Sequence, residues 1–281
     1  MSCCLTGKAA GALPPAPWSA KTKRAEDGVL RPVFSHLVFP FAALYNESYC
    51  QEEGYAVKLP QALLDLLYPP KCPFCGRILE RGEEGLCALC QRALPWTDPG
   101  GRAAEGCDAC LAPLHYRDGV RDAVHRYKFG GGASHAKLFG LLMAQCLSDR
   151  WDEPVDLITW VPLHPQRRRR RGYDQAELLA RRVGELAGLP AAPTLEKIRA
   201  TGAQSQLEDE DARRANAAGA YRALPQAQLA GKRVVLVDDV LTTGATMAEC
   251  AACLRLAGVK TVVGLTLARA GQHLDSARHP G

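Results

Sequence analysis

The sequence predicts an α/β fold, an open and mainly parallel sheet flanked by helices, with a small cysteine-rich module in front of it. Three observations carry that reading. Short apolar runs without alternation, at 157–161 (LITWV), 234–237 (VVLV) and 261–267 (TVVGLTL), suit strands buried on both faces. Segments with helical spacing, at 136–147, 174–186 and 246–256, separate or follow them, and strand–helix alternation builds a parallel sheet through crossover connections. Upstream, six cysteines fall into three C-x-x-C pairs between residues 72 and 110.

Composition narrows the class. The chain has 281 residues, 47% apolar and 23% charged, enough for one large domain plus a small module. A net charge of +5 permits phosphate or nucleic-acid partners without demanding them. No apolar run approaches the ~18 residues of a membrane span. No basic start followed by an apolar core marks a secretory signal. The expectation is a cytoplasmic protein with no membrane span.

In chain order, residues 1–58 show no pattern; Pro14, Pro15 and Pro17 break the start, and Lys21, Lys23 and Arg24 form a basic cluster. This part reads as a poorly ordered N-terminal extension, or as upstream sequence included by a misassigned start. Residues 59–115 read as a helix plus a cysteine module. The helix is 59–68 (LPQALLDLLY), stopped by Pro69 and Pro70. Cys72-Pro73-Phe74-Cys75-Gly76 is a knuckle whose proline and glycine shape a tight turn. Cys87 and Cys90 sit where a helix starts, and Cys107 and Cys110 follow a glycine-rich gap. Paired cysteines in an intracellular chain read as metal ligands. Zn2+ takes four thiolates, and Cys72, Cys75, Cys87 and Cys90 are the favoured set, with Cys107 and Cys110 as a substitute pair. A module of this size buries little core, so the metal is expected to supply most of its folding energy. Residues 116–281 read as the α/β domain, with 120–127 as its first strand and 129–132 (FGGG) as a turn.

The domain is organised around 234–247, VVLVDDVLTTGATM. The apolar run delivers Asp238 and Asp239 to a strand's carboxyl end, where open α/β sheets bind ligands. Next comes a hydroxyl-rich loop, Thr242-Thr243-Gly244-Ala245-Thr246, at the start of a helix. Glycine lets the backbone approach an anion, and the helix start offers unpaired N–H groups and a favourable dipole. That loop suits a phosphate. The carboxylates repel phosphate, so they suit a sugar's vicinal hydroxyls or a hard cation such as Mg2+. Strand, acid pair and phosphate cradle together describe a site for a phosphorylated ribose.

Two further segments fit such a site. After the 157–161 strand come Pro162 and Leu163, then Arg167 through Arg171. Arginine forks bind phosphate oxygens in pairs, although a solvated basic run that grips nucleic acid reads the same way. Residues 195–221 are polar and longer than an ordinary connection, so they read either as a lid or as an exposed charged helix over 207–218.

The stretch 238–246 resembles the phosphoribosyl-pyrophosphate signature of type I phosphoribosyltransferases. Together, R-G-Y-D-Q, R-x-T-x-x-Q-x-x-L, R-x-x-N-x-x-G-A-Y and V-D-D-V-x-T-T-G-A-T, all behind a C-x-x-C module, closely resemble the ComF family of competence-associated proteins. The resemblance spans about residues 59–267 and implies a type I phosphoribosyltransferase fold with a small N-terminal zinc finger. It also implies phosphoribosyl pyrophosphate as ligand with Mg2+, and in some members a role in DNA uptake, with single-stranded DNA or the uptake machinery as partners. On that footing Asp238 and Asp239 are the catalytic acids and residues Thr242, Thr243, Gly244, Ala245 and Thr246 hold the 5-phosphate. Pro162, Leu163, Arg167 and Arg171 hold the pyrophosphate; Arg199, Gln204, Arg213 and Asn216 form the lid. Asp174 departs from the asparagine common there, and its charge is expected to weaken any phosphate contact. Thr242 stands where purine phosphoribosyltransferases commonly carry a third acid, which disfavours a purine acceptor.

Overall fold

The computed structural model describes residues 69–271, apart from 81, 84, 99–103, 130–131 and 200–218. The expectations for residues 1–58, the 59–68 helix and the 207–218 helix lie outside the described residues.

The described chain runs α1 (Ala88–Ala93), β1 (Ala109–Leu111), β2 (Leu114–His115), α2 (Asp118–Phe129), a 3-10 turn (Gly132–His135) and α3 (Ala136–Arg150). It continues through β3 (Leu157–Trp160), α4 (Pro165–Arg171), α5 (Gln175–Ala187), β4 (Leu195–Lys197), β5 (Tyr221–Ala223), β6 (Arg233–Leu241), α6 (Ala245–Leu256) and β7 (Thr261–Arg269). One all-parallel sheet has the order β1-β7-β6-β3, with β2 prolonging the edge beside β7. A separate antiparallel hairpin joins β4 to β5.

The two faces of the sheet explain why its strands read as unbroken apolar runs. Val235, Val237, Val263, Leu265 and Leu267 pack into one core with α2, α3 and α5. Val234, Leu236 and Val262 face the other way, into a second core with α6 and the β4–β5 hairpin. Alternate side chains of β6 therefore serve different cores, and each buried Val or Leu contributes about 1.5–3 kcal/mol.

Two expectations are corrected. Residues 120–127 are not a strand but part of helix α2. Its buried residues, Val120, Ala123, Val124 and Tyr127, recur at helical spacing and line one stripe. The first strand lies earlier, because β1 and β2 fall within the stretch assigned to the cysteine module and pair with β7. The module also does not stand alone. Cys72, Phe74, Leu86, Cys87 and Leu94 belong to the main core. Phe74 meets Phe139 with ring centroids 5.7 Å apart. Arg126 of α2 clamps the knuckle by donating to the Pro73 and Phe74 carbonyls at 2.7 and 2.8 Å. The domain supplies a hydrophobic seat, so metal is one of two sources of the module's stability.

Candidate functional site

The cysteine cluster comes first in the chain. The Sγ atoms of Cys72, Cys75, Cys87 and Cys90 lie within 4.8 Å of one another. A tetrahedral zinc with bonds of ~2.3 Å would space four thiolates ~3.8 Å apart, so this donor set fits zinc. The knuckle closes through Gly76 N–H to the Cys72 carbonyl at 2.8 Å, and Cys87 caps α1 by accepting from Cys90 N–H at 3.4 Å. Burial works against a Cys87 thiolate, but the Cys90 N–H and neighbouring thiols lower its pKa to about 7. Cys107 and Cys110 lie outside this cluster. Cys110 sits in β1 against Gly264, where an added Cβ would lie 2.9 Å from its sulfur, and Cys107 packs against the second core.

The acid pair closes β6. Its residues Asp238 and Asp239 continue the strand's alternation, so they diverge. Asp239 follows Val235 and Val237 to the α2 side, where Lys128 Nζ meets its Oδ1 at 2.8 Å. Burial opposes the charge on Lys128, but Asp239 more than offsets it and raises the lysine's pKa. Asp238 follows Val234 and Leu236 and lines a cleft with Val240 to Met247. Burial, then repulsion from Asp239, pushes Asp238 up to about 8. Its Oδ1 also accepts the Asp239 N–H at 2.8 Å.

The cleft floor is the loop before α6. Gly244 caps that helix at φ +86°, a conformation side chains resist, and a Cβ there would sit 3.4 Å from Ala104. The Thr243 hydroxyl accepts from Ala245 N–H at 3.4 Å. Thr242, Thr243, Gly244, Ala245 and Thr246 all line the cleft with Asp238, and no basic side chain does so among the described residues.

The arginine run forms α4. Its spacing divides it: Arg167 and Arg171, one turn apart, are half-buried, whereas Arg168, Arg169 and Arg170 are exposed. Arg171 stacks over the Phe129 ring at 4.8 Å and donates to Gln175 Oε1 at 2.8 Å. Burial, partly countered by Asp239, lowers its pKa, placing the arginine in the field of the acid pair. Arg168 pairs with Glu177 at 3.1 Å. Pro162 has no N–H, and that of Leu163 is taken by Asp174 Oδ2 at 2.8 Å. These two loop residues shape the turn, and the arginines are its strong donors.

Asp174 has a structural role in the loop. Its buried carboxylate accepts from Leu163, Ala176 and Glu177 N–H groups, capping α5 and tying down the 161–164 loop. Burial raises its pKa, and these N–H groups work against the rise. The N–H groups hold the carboxylate in place, and its charge still reaches the site, where it adds to burial and Asp239 in raising the Asp238 pKa. Asp174→Ala is expected to cost roughly 2–4 kcal/mol, the lost cap plus an unpaired Leu163 N–H. Asp174→Asn should cost less, since one oxygen still accepts. Urea unfolding checks the ranking.

Of the lid residues, Arg199 lies exposed just beyond β4, and Gln204, Arg213 and Asn216 lie outside the described residues. Sequence reasoning missed Lys128, Lys197 and Tyr221. Lys128 was legible in one respect: the spacing of 120, 123, 124 and 127 predicts a helix whose next residue is that lysine. Tyr221 ends the motif R-x-x-N-x-x-G-A-Y, whereas Lys197 carried no local signal, since β4 is only three residues long.

The all-parallel sheet, the strand-end acids and the threonine-lined helix start define a phosphoribosyltransferase-type domain behind a zinc ribbon. The family models agree: a double zinc ribbon domain matches residues 63–123, and a phosphoribosyl transferase domain matches 169–279. Competence protein F of Haemophilus influenzae is 30% identical over 223 residues, covering 71% of this chain and 97% of that protein. DNA utilization protein YhgH of Salmonella typhi is 31% identical, covering 70% and 96%. Competence protein ComFC of Streptococcus pneumoniae is 29% identical, covering 70% and 87%. The chain belongs to the ComF family. No helix among the described residues is long and apolar enough to cross a membrane.

Proposed function

We propose that the cleft binds phosphoribosyl pyrophosphate with Mg2+ and transfers or recognises its phosphoribosyl group. The observation that carries this reading is the cleft itself, in which one carboxylate, Asp238, faces a loop of hydroxyls and helix N–H groups. The 5-phosphate takes that loop, the ribose hydroxyls take Asp238, and the pyrophosphate lies toward Arg167 and Arg171. Asp238 and pyrophosphate oxygens would hold Mg2+, which offsets the leaving group's charge. In transfer, the C1–O bond to pyrophosphate breaks as the acceptor's nucleophile attacks C1. Positive charge grows on the ribose ring, and Asp238 stabilises it. Asp239 is held by Lys128, so the ion pair positions the strand end and keeps the second acid's charge in reach. On this reading Arg199, Gln204, Arg213 and Asn216 serve as the lid residues that exclude water from the bound ligand.

The test is to incubate the zinc-loaded chain with phosphoribosyl pyrophosphate, Mg2+ and candidate amine or orotate-like acceptors, and to measure pyrophosphate. Release supports transfer. Tight binding without release for any acceptor supports recognition alone. Absence of binding sinks both.

A second reading rests on α4. Arg168, Arg169 and Arg170 fan out from one exposed short helix, and their charge would attract a nucleic-acid backbone. The relatives' names concern competence and DNA utilization. A single-stranded DNA affinity that falls steeply with salt, and survives saturating phosphoribosyl pyrophosphate, would favour that reading.

The Asp238 carboxyl sets a pH dependence. Ligand binding needs its charge, so affinity in Mg2+ should climb by up to ~10-fold per pH unit and level off above about 8. The ligand-free chain should behave oppositely. Folding raises this pKa above its unfolded value, so the contribution to stability is full below about pH 4 and lost as pH rises through about 8. Lys128→Met removes a charge that lowers Asp238, so the binding curve should shift to higher pH. Calorimetric titrations between pH 6 and 9 check the sign.

A further inference from the structure

We propose that Lys197, acting through Tyr221 and Thr246, is the cation of the 5-phosphate cradle. The proposal rests on the reading of the cleft as a phosphoribosyl site.

A phosphate dianion in the cleft would meet threonine hydroxyls and helix N–H groups, but no basic side chain lines that surface. A positive charge stands one layer behind it. Lys197 Nζ, on β4, donates to the Tyr221 hydroxyl at 2.9 Å and lies 4.8 Å from the centre of that ring. Next in line is the Thr246 side chain: burial raises the Tyr221 pKa, and donation from Thr246 to the phenol oxygen works against that rise. Lysine, tyrosine and threonine thus form a line from the hairpin to the cradle. With an anion present, each member can donate to the next: ammonium to phenol oxygen, phenol O–H to threonine oxygen, threonine O–H to phosphate. Aligned donors polarise one another, so the lysine's charge strengthens the last bond.

The hairpin is built to hold this line still. Leu195 and Tyr221 are buried in the α6-side core with Met247, Cys250 and Leu254. Gly219 N–H donates to Glu249 Oε1 at 2.6 Å, and Cys253 Sγ to the Tyr221 carbonyl at 3.4 Å. Both contacts bind β5 to α6, the helix that begins with the cradle. The surroundings also leave the lysine short of negative charge. Burial first, then Arg167 and later Arg199, lower its pKa to about 8, against weaker support from Cys250 and Asp238. An arriving dianion supplies what is missing. The pyrophosphate side has Arg167 and Arg171 already, so a lysine aimed at Thr246 serves the opposite end of the ligand.

The experiment uses the full zinc-loaded chain and two probes, ribose 5-phosphate and inorganic pyrophosphate with Mg2+. Lys197→Met is expected to weaken ribose 5-phosphate binding roughly tenfold and leave pyrophosphate binding unchanged. Lys197→Arg should restore most of the loss. Tyr221→Phe, which keeps the ring and the lysine but cuts the relay, should give an intermediate loss. Equal binding of ribose 5-phosphate by wild type and Lys197→Met overturns the inference alone. Selective loss of pyrophosphate binding overturns it too, by moving the lysine to the other end of the site. If Lys197→Met does not fold, Tyr221→Phe decides: unchanged ribose 5-phosphate affinity there rejects the relay. Failure of wild type to bind either probe removes the phosphoribosyl reading and this inference with it.

Discussion

The chain carrying Asp238→Asn and Asp239→Asn is expected to stay folded and to lose Mg2+-dependent binding of phosphoribosyl pyrophosphate by at least ~100-fold. Asp238 would make charge-assisted contacts to sugar and cation worth about 1.5–3 kcal/mol each, and every ~1.4 kcal/mol is tenfold in affinity. The single variants should separate the two acids. Burial and the neighbouring Asp239 charge favour the protonated form of Asp238, so asparagine there should change stability less than asparagine at 239. Asp239→Asn removes the partner of half-buried Lys128 and should lower stability by about 1–3 kcal/mol. Titration calorimetry with and without Mg2+, beside thermal melts, reads both effects. Undiminished affinity in the double variant would contradict the assignment of this strand end to the sugar.

The second large effect concerns the cysteine cluster. Purified chain should carry about one zinc, and Cys72→Ser with Cys87→Ser should carry none. Both residues are fully buried and belong to the main core, so the damage should spread beyond the knuckle. A fall in melting temperature of roughly 10 °C or more is expected, as for a loss of several kcal/mol from a domain of this size. Ligand affinity should also drop, by less. Arg126 anchors α2 to the knuckle carbonyls, and Lys128 follows two residues later on the same helix. A metal-free chain that melts at the wild-type temperature would show that the cluster holds no structural ion.

These two experiments probe the parts of the molecule that were most legible before folding. An unbroken apolar run ending in two acids and a threonine-glycine turn has few physical uses, because each residue type is costly elsewhere. The same holds for paired cysteines flanking a turn and a helix start. By contrast, 120–127 read as a strand because its valines and tyrosine favour extended chain locally, while burial of one stripe in the main core made it helical. Residues 109–115 read as part of the module because strands of three and two residues carry almost no periodic signal. Asp174 looked like a ligand neighbour, since nothing in its local sequence reveals that three backbone N–H groups converge on it.

The sequence by itself determined the class of fold, the location of the cradle and the cysteine quartet, since these rest on contiguous residues whose chemistry is local. Only the tertiary structure decided how the acids divide. Strand alternation sends Asp238 to the cleft and Asp239 to Lys128, on a helix far earlier in the chain. It also decided which arginines turn inward and which lysine stands behind Thr246. The physical reason is that charge acts through space at a few ångströms, and the chain brings those charges together only when both faces of the sheet are buried.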